Sequence, residues 1–225
     1  THENFFSNII EPNKEKHEIH TYLAFWDHTH ERGKFGNRNR VRKLQKNEIE
    51  QILQIYSPKE YSILDNYHNK NSKEFPEITS KLIKTIGEPR HPDGKKLIQN
   101  GLVAQSYSWS RAFSLLRESY DLILKVRFDL TTSKVLFEEC KGDHFNCAGS
   151  KMQFPQYGLA DHLIAGDTKV MEIFMNNIYL NTVIGNFPNI SIMYPNVFPE
   201  FVFKSVLESH KIPVNYLNKQ ITIVR

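Results

Sequence analysis

Apolar residues along the chain follow two spacings, one typical of short strands and the other typical of helices. Runs rich in β-branched and aromatic residues predict strands at 19–27, 61–65 and 120–130, and again in KIPVNYL and ITIVR near the carboxyl end. Apolar residues at helical spacing predict helices at 5–12, 44–55, 77–86, 108–120, 170–184 and 199–210. Strands and helices thus alternate, which predicts an α/β fold with a mainly parallel central sheet flanked by helices.

The run YDLILKVRFDL (residues 120–130) places charged residues inside an apolar strand. Because side chains alternate along a strand, Lys125, Arg127 and Asp129 would share one face. The opposite face would hold Leu122, Leu124, Val126 and Phe128. The charges accumulate toward the carboxyl end, where open α/β sheets bind ligands.

Arg127 and Asp129 would lie about 6.6 Å apart along such a strand. This spacing predicts a ligand with separated groups, because Arg binds phosphate oxygens and Asp binds a divalent cation or a sugar hydroxyl. An ion pair between the two side chains at the strand end explains the pattern equally well.

Length and charge limit the classes of protein to which the chain could belong. Its 225 residues, 40% of them hydrophobic, suffice for one domain with a sizeable core. No run of 18 apolar residues occurs, so no transmembrane segment is predicted. Two cysteines without a pairing framework predict free thiols, a reducing compartment and hence a cytoplasmic location.

Basic residues concentrate in RGKFGNRNRVRK (residues 32–43), although the net charge is only +4. Residues 28–43 are predicted to form a solvated loop, and the alternative is a binding surface for a phosphate-bearing or other anionic ligand. Just before it, WDHTHE offers Asp27, His28, His30 and Glu31 as potential metal ligands. The alternative there is a substrate-lining role for Trp26 or Asp27.

Several common catalytic motifs do not occur in the sequence. It contains no P-loop, no GxGxxG, no GxSxG and no HExxH. Their absence disfavours kinases, dinucleotide-dependent enzymes, serine hydrolases and zincins.

Six stretches of the chain resemble, in the same order, the motifs of one known family. YDLILKVRFDL resembles a family strand that begins Tyr-Asp and ends Arg-x-Asp, and YLAFWD (22–27) resembles the second strand. The other stretches are ILQIYSPKEYSI (52–63), QSYSWSRAFSLL (105–116), GLADHLIAGDTKVMEIF (158–174) and PEFVFKSVLESHKIPV followed by ITIVR. The family consists of glycosyltransferases that build bacterial surface polysaccharides, with related domains in glycan-making proteins of large DNA viruses.

This resemblance implies a Rossmann-like GT-A fold in a single domain of residues 1–225, which binds a nucleotide sugar. It also implies that the family's first strand, which would lead into residues 1–10, is missing at the amino terminus. Enzymes with this fold commonly hold Mn²⁺ or Mg²⁺ on the diphosphate with Asp-x-Asp. Here Arg127 stands where the first Asp would, so a guanidinium could neutralise the diphosphate itself, and Asp129 is the expected ligand of any divalent cation.

The resemblance further assigns site residues. Asp161 is the expected catalytic carboxylate, which would accept the proton of the acceptor hydroxyl, and Glu200 is a second candidate. A turn position for Asp161, and a place at a helix start for Glu200, are the structural alternatives. The residues expected to hold the nucleotide sugar are Lys125, Arg127, Asp129, Gln105, Arg111 and Trp26.

Gln105 and Arg111 are included because they lie near the start of the predicted helix 108–120, where phosphate binds favourably. The sequence therefore predicts an enzyme that transfers a sugar from a nucleotide-sugar donor to a hydroxyl of a glycan acceptor, without nucleic acid. Two alternatives remain open. One is a non-catalytic carbohydrate-binding domain with a decayed site, and the other is an anionic-ligand binder that uses residues 32–43.

Overall fold

The computed structural model describes residues 2–31, 40–65, 74–86, 95, 98–148, 162–184 and 199–223. Within these ranges, side chains are not described at 29–31, 40–41, 86, 100–101, 199–201 and 223. The described part of the chain is a mixed α/β arrangement, which confirms the class that the alternating pattern predicts.

Groups of helices and groups of strands follow one another along these ranges. The helices are α1 (His2–Phe5), α2 (Lys46–Tyr56), α3 (Glu74–Ile86), α4 (Ala104–Phe113), α5 (Thr168–Glu172), α6 (Ile178–Ile184) and α7 (Pro199–Ser209). π-helical turns extend α1 (Phe6–Ile10), precede α4 (Ile98–Val103) and join α5 to α6 (Ile173–Asn177). The strands are β1 (Tyr22–Trp26), β2 (His28–Glu31), β3 (Arg40–Lys43), β4 (Glu60–Leu64), β5 (Ile123–Val126), β6 (Leu130–Thr132), β7 (Phe145–Ala148), β8 (Leu163–Gly166), β9 (Val214–Leu217) and β10 (Ile221–Ile223).

The strands form one four-stranded sheet and three separate pairs. The sheet has the order β5–β8–β7–β9, with β8 antiparallel to both of its neighbours and β9 parallel to β7. β1 and β4 pair in parallel, while β2 with β3 and β6 with β10 pair antiparallel. Two of these six pairs are therefore parallel, and the prediction of a mainly parallel sheet is wrong for this part of the chain.

Apolar side chains cover both faces of the four-stranded sheet. On one face, Ile164 of β8 belongs to a core with Trp109 of α4 and Phe203 of α7. On the other face, the neighbouring residue Leu163 packs with Ile9 of the turn that extends α1. The strands thus form a middle layer between helices, and the alternation along β8 sends successive side chains into different cores.

The structure corrects two local predictions. The helix predicted at 108–120 is α4, which starts four residues earlier because it continues the preceding π-helical turn, and which ends at Phe113. The stretch predicted as a loop, 28–43, includes the antiparallel strands β2 and β3. Residues 32–39, the centre of the basic stretch, lie outside the described residues.

The prediction of free thiols is confirmed. Cys140 and Cys147 are free thiols, and burial raises their pKa values to about 11 and about 12. Asp167 caps α5, because its carboxylate accepts a hydrogen bond of 2.8 Å from the Val170 backbone N–H. No helix within the described ranges is long and apolar enough to cross a membrane.

Candidate functional site

A cleft of about 1030 Å³ lies between β1 and β5. All five residues of β1 line it on one side, and residues 122–130 line it on the other. Helix α4 borders the cleft through Ser108 and Trp109, while α1 and α2 border it through Phe5 and Tyr56. We refer to this space as the β1–β5 cleft.

Hydrogen-bonded side chains bridge the amino end of the β1–β5 cleft. The hydroxyls of Tyr22 and Tyr120 are 2.5 Å apart, and Tyr120 donates to Glu118 at 2.8 Å. Lys59 binds the same Glu118 carboxylate at 2.5 Å. Burial, followed by the hydrogen bond with Tyr22, raises the pKa of Tyr120 far above its usual value. This end is held together by protein groups, so the candidate ligand site lies at the other end.

Arg127 and Asp129 lie at the carboxyl end of the cleft, in the turn that follows β5. The Arg127 guanidinium donates through Nε (2.9 Å) and Nη2 (2.8 Å) to the two carboxylate oxygens of Asp129. The prediction that both residues lie within a strand is wrong, since β5 ends at Val126. Their ion pair, the structural alternative from the sequence, is present, and it holds the guanidinium at the cleft wall.

The hydrogen bond from Arg127 lowers the pKa of the Asp129 carboxyl below its usual value of 3.8, and a charge on His162 adds to this decrease. His162 directly precedes β8, which pairs with β5. Because Val126 pairs with Leu163, the start of β8 lies near the turn that carries Arg127 and Asp129. Sequence reasoning missed His162, because nothing in the sequence indicates that β8 pairs with β5.

Replacing Asp129 by asparagine should change the pH dependence of unfolding. A carboxyl whose pKa is lowered in the folded state contributes stability above its unfolded pKa and loses it as the pH falls through the folded pKa. Because both side chains are about a third exposed (34% and 38%), we expect the variant to lose at most about 1 kcal/mol at pH 7. Below about pH 4 the variant and the parent should converge, as measured by urea unfolding from pH 2.5 to 7.

The matched control is Asp143→Asn. Asp143 also has a lowered pKa, but its side chain is 82% exposed and its partner is the adjacent His144. A stability difference for Asp129→Asn that stays constant down to pH 2.5 would show that the ion pair with Arg127 does not stabilise the fold.

Lys125 lies on the side of β5 that faces α4. Its ammonium is 4.6 Å from the ring centroid of Trp109, a cation–π contact. Trp109 is 5% exposed and belongs to the core, as its apolar helix position predicts. Both residues line the β1–β5 cleft, so Lys125 brings a positive charge into it.

The carboxyl end of β1 carries a second polar group. Asp27 is buried (5% exposed), bonds to Nδ1 of His28, and has the Lys43 ammonium 3.5 Å away. Trp26, predicted to bind the ligand, lines the cleft but also stacks on Tyr107, with ring centroids 6.0 Å apart. Trp26 therefore has a packing role. Asp27 and His28 are the polar groups at this strand end, and of the two His28 lines the cleft while Asp27 does not.

Of the two residues predicted to hold the nucleotide from α4, Gln105 lines the cleft and Arg111 does not. Gln105 lines the cleft, but α4 continues a π-helical turn, so Gln105 does not occupy the free helix start that the phosphate argument requires. Arg111 lies in the last turn of α4, is exposed, and does not line the cleft. The prediction that Arg111 lies at a helix start is wrong because the helix begins and ends earlier than the sequence suggests.

Both predicted catalytic residues fall where the structure gives no side-chain geometry. Asp161 lies outside the described residues, and Glu200 is in the first turn of α7 without a described side chain. In the basic stretch, Arg42 donates two hydrogen bonds of 2.6 Å to Glu48, whose pKa they lower to about 2. Arg42 is therefore engaged within the domain, while residues 32–39 and the side chains of 40–41, on which the anionic-binder alternative also depends, lie outside what the structure describes.

The described residues do not fit the divalent cation that the resemblance implies. No three His, Cys, Asp or Glu side chains in the described part of the chain converge on one point. Asp129 gives both carboxylate oxygens to Arg127, so Mn²⁺ or Mg²⁺ would compete with the guanidinium for that carboxylate. Of the four potential metal ligands of WDHTHE, the side chains of His30 and Glu31 lie outside what the structure describes.

Comparisons with known proteins add no family assignment. No protein-family model matches the chain, and neither a curated protein nor a solved structure is significantly similar to it. The GT-A fold and the glycosyltransferase activity therefore remain predictions that the sequence resemblance implies, and the geometry of the β1–β5 cleft is the structural basis on which they can be tested.

Proposed function

We propose that the domain binds a nucleotide sugar at the carboxyl end of the β1–β5 cleft and transfers the sugar to a glycan hydroxyl. The observation that carries this proposal is the arrangement of two strand ends. β1 is followed by Asp27 and His28, and β5 is followed by Arg127 and Asp129. Ligands of open α/β sheets bind beyond such carboxyl ends.

The two strands run in the same direction along the cleft. Tyr22 meets Tyr120 at the amino end, and the rings of Phe25 and Phe128 meet near the carboxyl end with centroids 6.4 Å apart. A ligand at this end would therefore contact both strand ends at once. The resemblance of the six sequence stretches supports a nucleotide sugar as that ligand.

Each polar group has a role in the proposed reaction. The guanidinium of Arg127, oriented by Asp129, offsets negative charge on the departing nucleotide diphosphate, and Lys125 adds a second positive charge. His28, which lines the cleft and is held by the Asp27 carboxylate, hydrogen-bonds hydroxyls of the donor. Asp161, which precedes His162 in the chain, accepts the proton of the acceptor hydroxyl, and Glu200 binds the acceptor. We place this reaction in the cytoplasm.

Thermal unfolding in the presence of UDP, GDP, CMP and their sugars tests the binding step. A ligand at about 100 times its dissociation constant should add about 2.7 kcal/mol of stability, which corresponds to a rise in Tm of about 5–10 °C for a chain of this size. One nucleotide should stabilise the protein and the others should not. No shift with any of them would overturn the proposal.

Arg127→Ala tests whether the Arg127 guanidinium binds the nucleotide diphosphate. Hydrogen bonds to a charged group contribute about 1.5–3 kcal/mol. Their loss should weaken nucleotide binding by about 10- to 100-fold. The matched control is Arg117→Ala, because Arg117 is 70% exposed and pairs with Glu60 away from the cleft. Equal losses of affinity in both variants would show that Arg127 does not touch the nucleotide.

A non-catalytic binding domain is the second candidate, and the closed ion pair between Arg127 and Asp129 favours it over a metal-dependent enzyme. Release of free sugar from the nucleotide sugar that stabilises the protein distinguishes the two. Sugar release that Arg127→Ala lowers supports the transferase, whereas nucleotide-sugar binding without any release or transfer supports the binding domain.

A further inference from the structure

Strand β4 has one edge that no described strand covers. Among the strands that the structure describes, β4 pairs with β1 alone, in a parallel register along the whole of β4. A strand edge presents a row of backbone N–H and C=O groups, which pair with another strand when one is offered. The edge of β4 that faces away from β1 is therefore a candidate for contact with another chain.

The exposed face of β4 is apolar. Tyr61 is 49% exposed and Ile63 is 38% exposed, whereas Leu64 on the opposite face is buried. The one charged residue in the sequence of β4, Glu60, lies on that opposite face and pairs with Arg117 at 3.1 Å. Native proteins commonly protect a free strand edge with charged side chains or proline. An exposed Tyr and Ile in their place indicate a surface that another strand covers.

The same two residues direct their backbone groups toward the free edge. The N–H of Asp27, directly after β1, donates to the Leu64 carbonyl at 2.9 Å, so this carbonyl points toward β1. Successive residues of a strand direct their N–H and C=O groups to alternate edges. The N–H and C=O groups of Tyr61 and Ile63 therefore point away from β1 and can bond to a further strand.

We propose that β4 pairs with β4 of a second copy of this chain, antiparallel about a twofold axis at Ser62. In this register Tyr61 lies opposite Ile63 of the second copy, and Ile63 lies opposite Tyr61 of the second copy. Each such pair exchanges both of its N–H···O=C hydrogen bonds. The β1–β4 pairs of the two copies then form one continuous sheet in the order β1–β4–β4–β1.

The sequence around β4 is self-complementary in this register. Lys59 lies opposite Asp65 of the second copy, so opposite charges flank the two Tyr–Ile pairs. Aromatic with β-branched pairs and opposite-charge pairs are both favourable across antiparallel strands. A shift of two residues in one direction would place Ile63 opposite Lys59, and in the other direction Tyr61 opposite Asp65. The register centred on Ser62 therefore makes the most favourable pairs.

A second copy fits this edge better than an open series of chains. A twofold contact uses the same patch on both copies and closes the assembly as a dimer. The Lys59 ammonium binds Glu118 at 2.5 Å but is 45% exposed, which leaves it accessible to a second carboxylate. This pairing is independent of nucleotide binding, because β1 separates β4 from the β1–β5 cleft.

Sedimentation velocity over a range of protein concentrations tests the dimer. Because the strand contact is small, we expect half of the chains to be dimeric at about 10–100 µM. Ile63→Lys places an ammonium opposite each Tyr61 and should weaken dimerisation at least about tenfold. The matched control is Leu180→Lys, because Leu180 is 51% exposed but lies on α6. A monomer at about 100 µM, or equal weakening by both variants, would overturn the proposal.

Disulfide cross-linking tests the register. The two copies of Ser62 would form a non-hydrogen-bonded pair with Cα atoms about 4.5 Å apart, within the range of about 4.4–6.8 Å that a disulfide spans. Mild oxidation should therefore link Ser62→Cys at least about tenfold faster than Ser80→Cys, a control at an exposed position of α3. The parent chain, with Cys140 and Cys147, gives the background. A dimer that Ser62→Cys does not link would place the contact elsewhere, and the proposal would be wrong.

Hydrogen exchange distinguishes a second copy from other coverings of the edge. The amides of Tyr61 and Ile63 point to the free edge, so β4 should contain two more protected amides at about 100 µM than at about 1 µM. Ile63→Lys should remove this dependence on concentration. Protection that is the same at both concentrations would mean that another part of the chain covers β4, and the pairing between copies would not exist.

Discussion

Replacing Phe174 by alanine is expected to lower the free energy of unfolding by about 3–5 kcal/mol. The side chain is fully buried (0% exposed) in the π-helical turn between α5 and α6. Its ring lies 4.6 Å from that of Phe145, 5.1 Å from that of Trp109 and 5.3 Å from that of Phe203, between centroids. Alanine would leave a cavity where β7, α4 and α7 meet.

Urea unfolding measures this loss, and Phe128→Ala is the matched control. Phe128 is 43% exposed and contacts Phe25 and Tyr56 edge to face. Its replacement by alanine should therefore lower the free energy of unfolding by no more than about 1.5 kcal/mol. Similar losses in both variants would mean that the aromatic cluster around Phe174 is not the main core of the domain.

The effect of Phe174→Ala should reach the candidate site. Trp109 stacks on Phe174 on one side and carries the Lys125 ammonium near its ring. Loss of Phe174 leaves Trp109 free to move toward the cavity, and Lys125 would lose its position in the β1–β5 cleft. We therefore expect weaker nucleotide binding by this variant even where it remains folded.

Much of the fold can be predicted from the sequence because most elements are amphipathic. β1, β4 and α2 fall close to the predicted ranges, since their less exposed residues recur at the spacing of a strand or a helix. β7 and β8 give no such signal. All four residues of each are buried, and their sequences, FNCA and LIAG, contain one β-branched residue between them, so only pairing with distant strands makes them strands.

The candidate site was harder to predict than the fold. The alternation in KVRFD correctly indicates that Arg127 and Asp129 can interact, but it does not show that the strand ends at Val126. The turn there, closed by a hydrogen bond of 3.3 Å from Leu130 N–H to the Arg127 carbonyl, brings the two side chains together. The prediction for Arg111 is wrong for a similar reason, because its role depended on a helix start that lies elsewhere in the chain.

Side-chain groups assembled from several segments could not be found in the sequence at all. The bridge at the amino end of the cleft combines Tyr22, Lys59, Glu118 and Tyr120. These residues come from three separate parts of the chain, so no spacing rule connects them. Asp27 and His28 could be found in the sequence, because they are adjacent and directly follow an apolar strand. Polar residues in that position indicate a ligand-binding edge of a sheet.

Replacing Asn146 by alanine is expected to lower the free energy of unfolding by about 3–4 kcal/mol. Asn146 is fully buried in β7 (0% exposed), and its Nδ2 donates to the carbonyls of Lys141 (2.7 Å), His144 (3.0 Å) and Ala165 (3.0 Å). Its Oδ1 accepts from the Lys141 N–H at 2.9 Å and from Asn215 at 2.7 Å. Each buried group left without a partner costs about 1–3 kcal/mol.

Asn215→Ala is the matched control for this loss. Asn215 contributes one hydrogen bond to Asn146 and one of 3.2 Å to the Glu139 carbonyl near the surface. Its removal should cost about 1 kcal/mol, and the double variant should cost less than the sum because the two side chains share a bond. If urea unfolding gave equal losses for the two single variants, the Asn146 network would not be holding the sheet together.

Asn146→Asp separates the donor role of this side chain from its size. The introduced carboxylate would face the carbonyl oxygens of Lys141, His144 and Ala165, which would raise its pKa in the folded state. A carboxyl with a raised folded pKa destabilises the protein above that pKa, and the penalty disappears as the pH falls below its unfolded pKa. The variant should therefore be less stable than Asn146→Ala at pH 7 and recover toward pH 4, where a protonated carboxyl can donate again. Alanine would show no such recovery, so the difference between the two variants isolates the hydrogen bonds through which Asn146 joins β7 to β8 and to the turn before it.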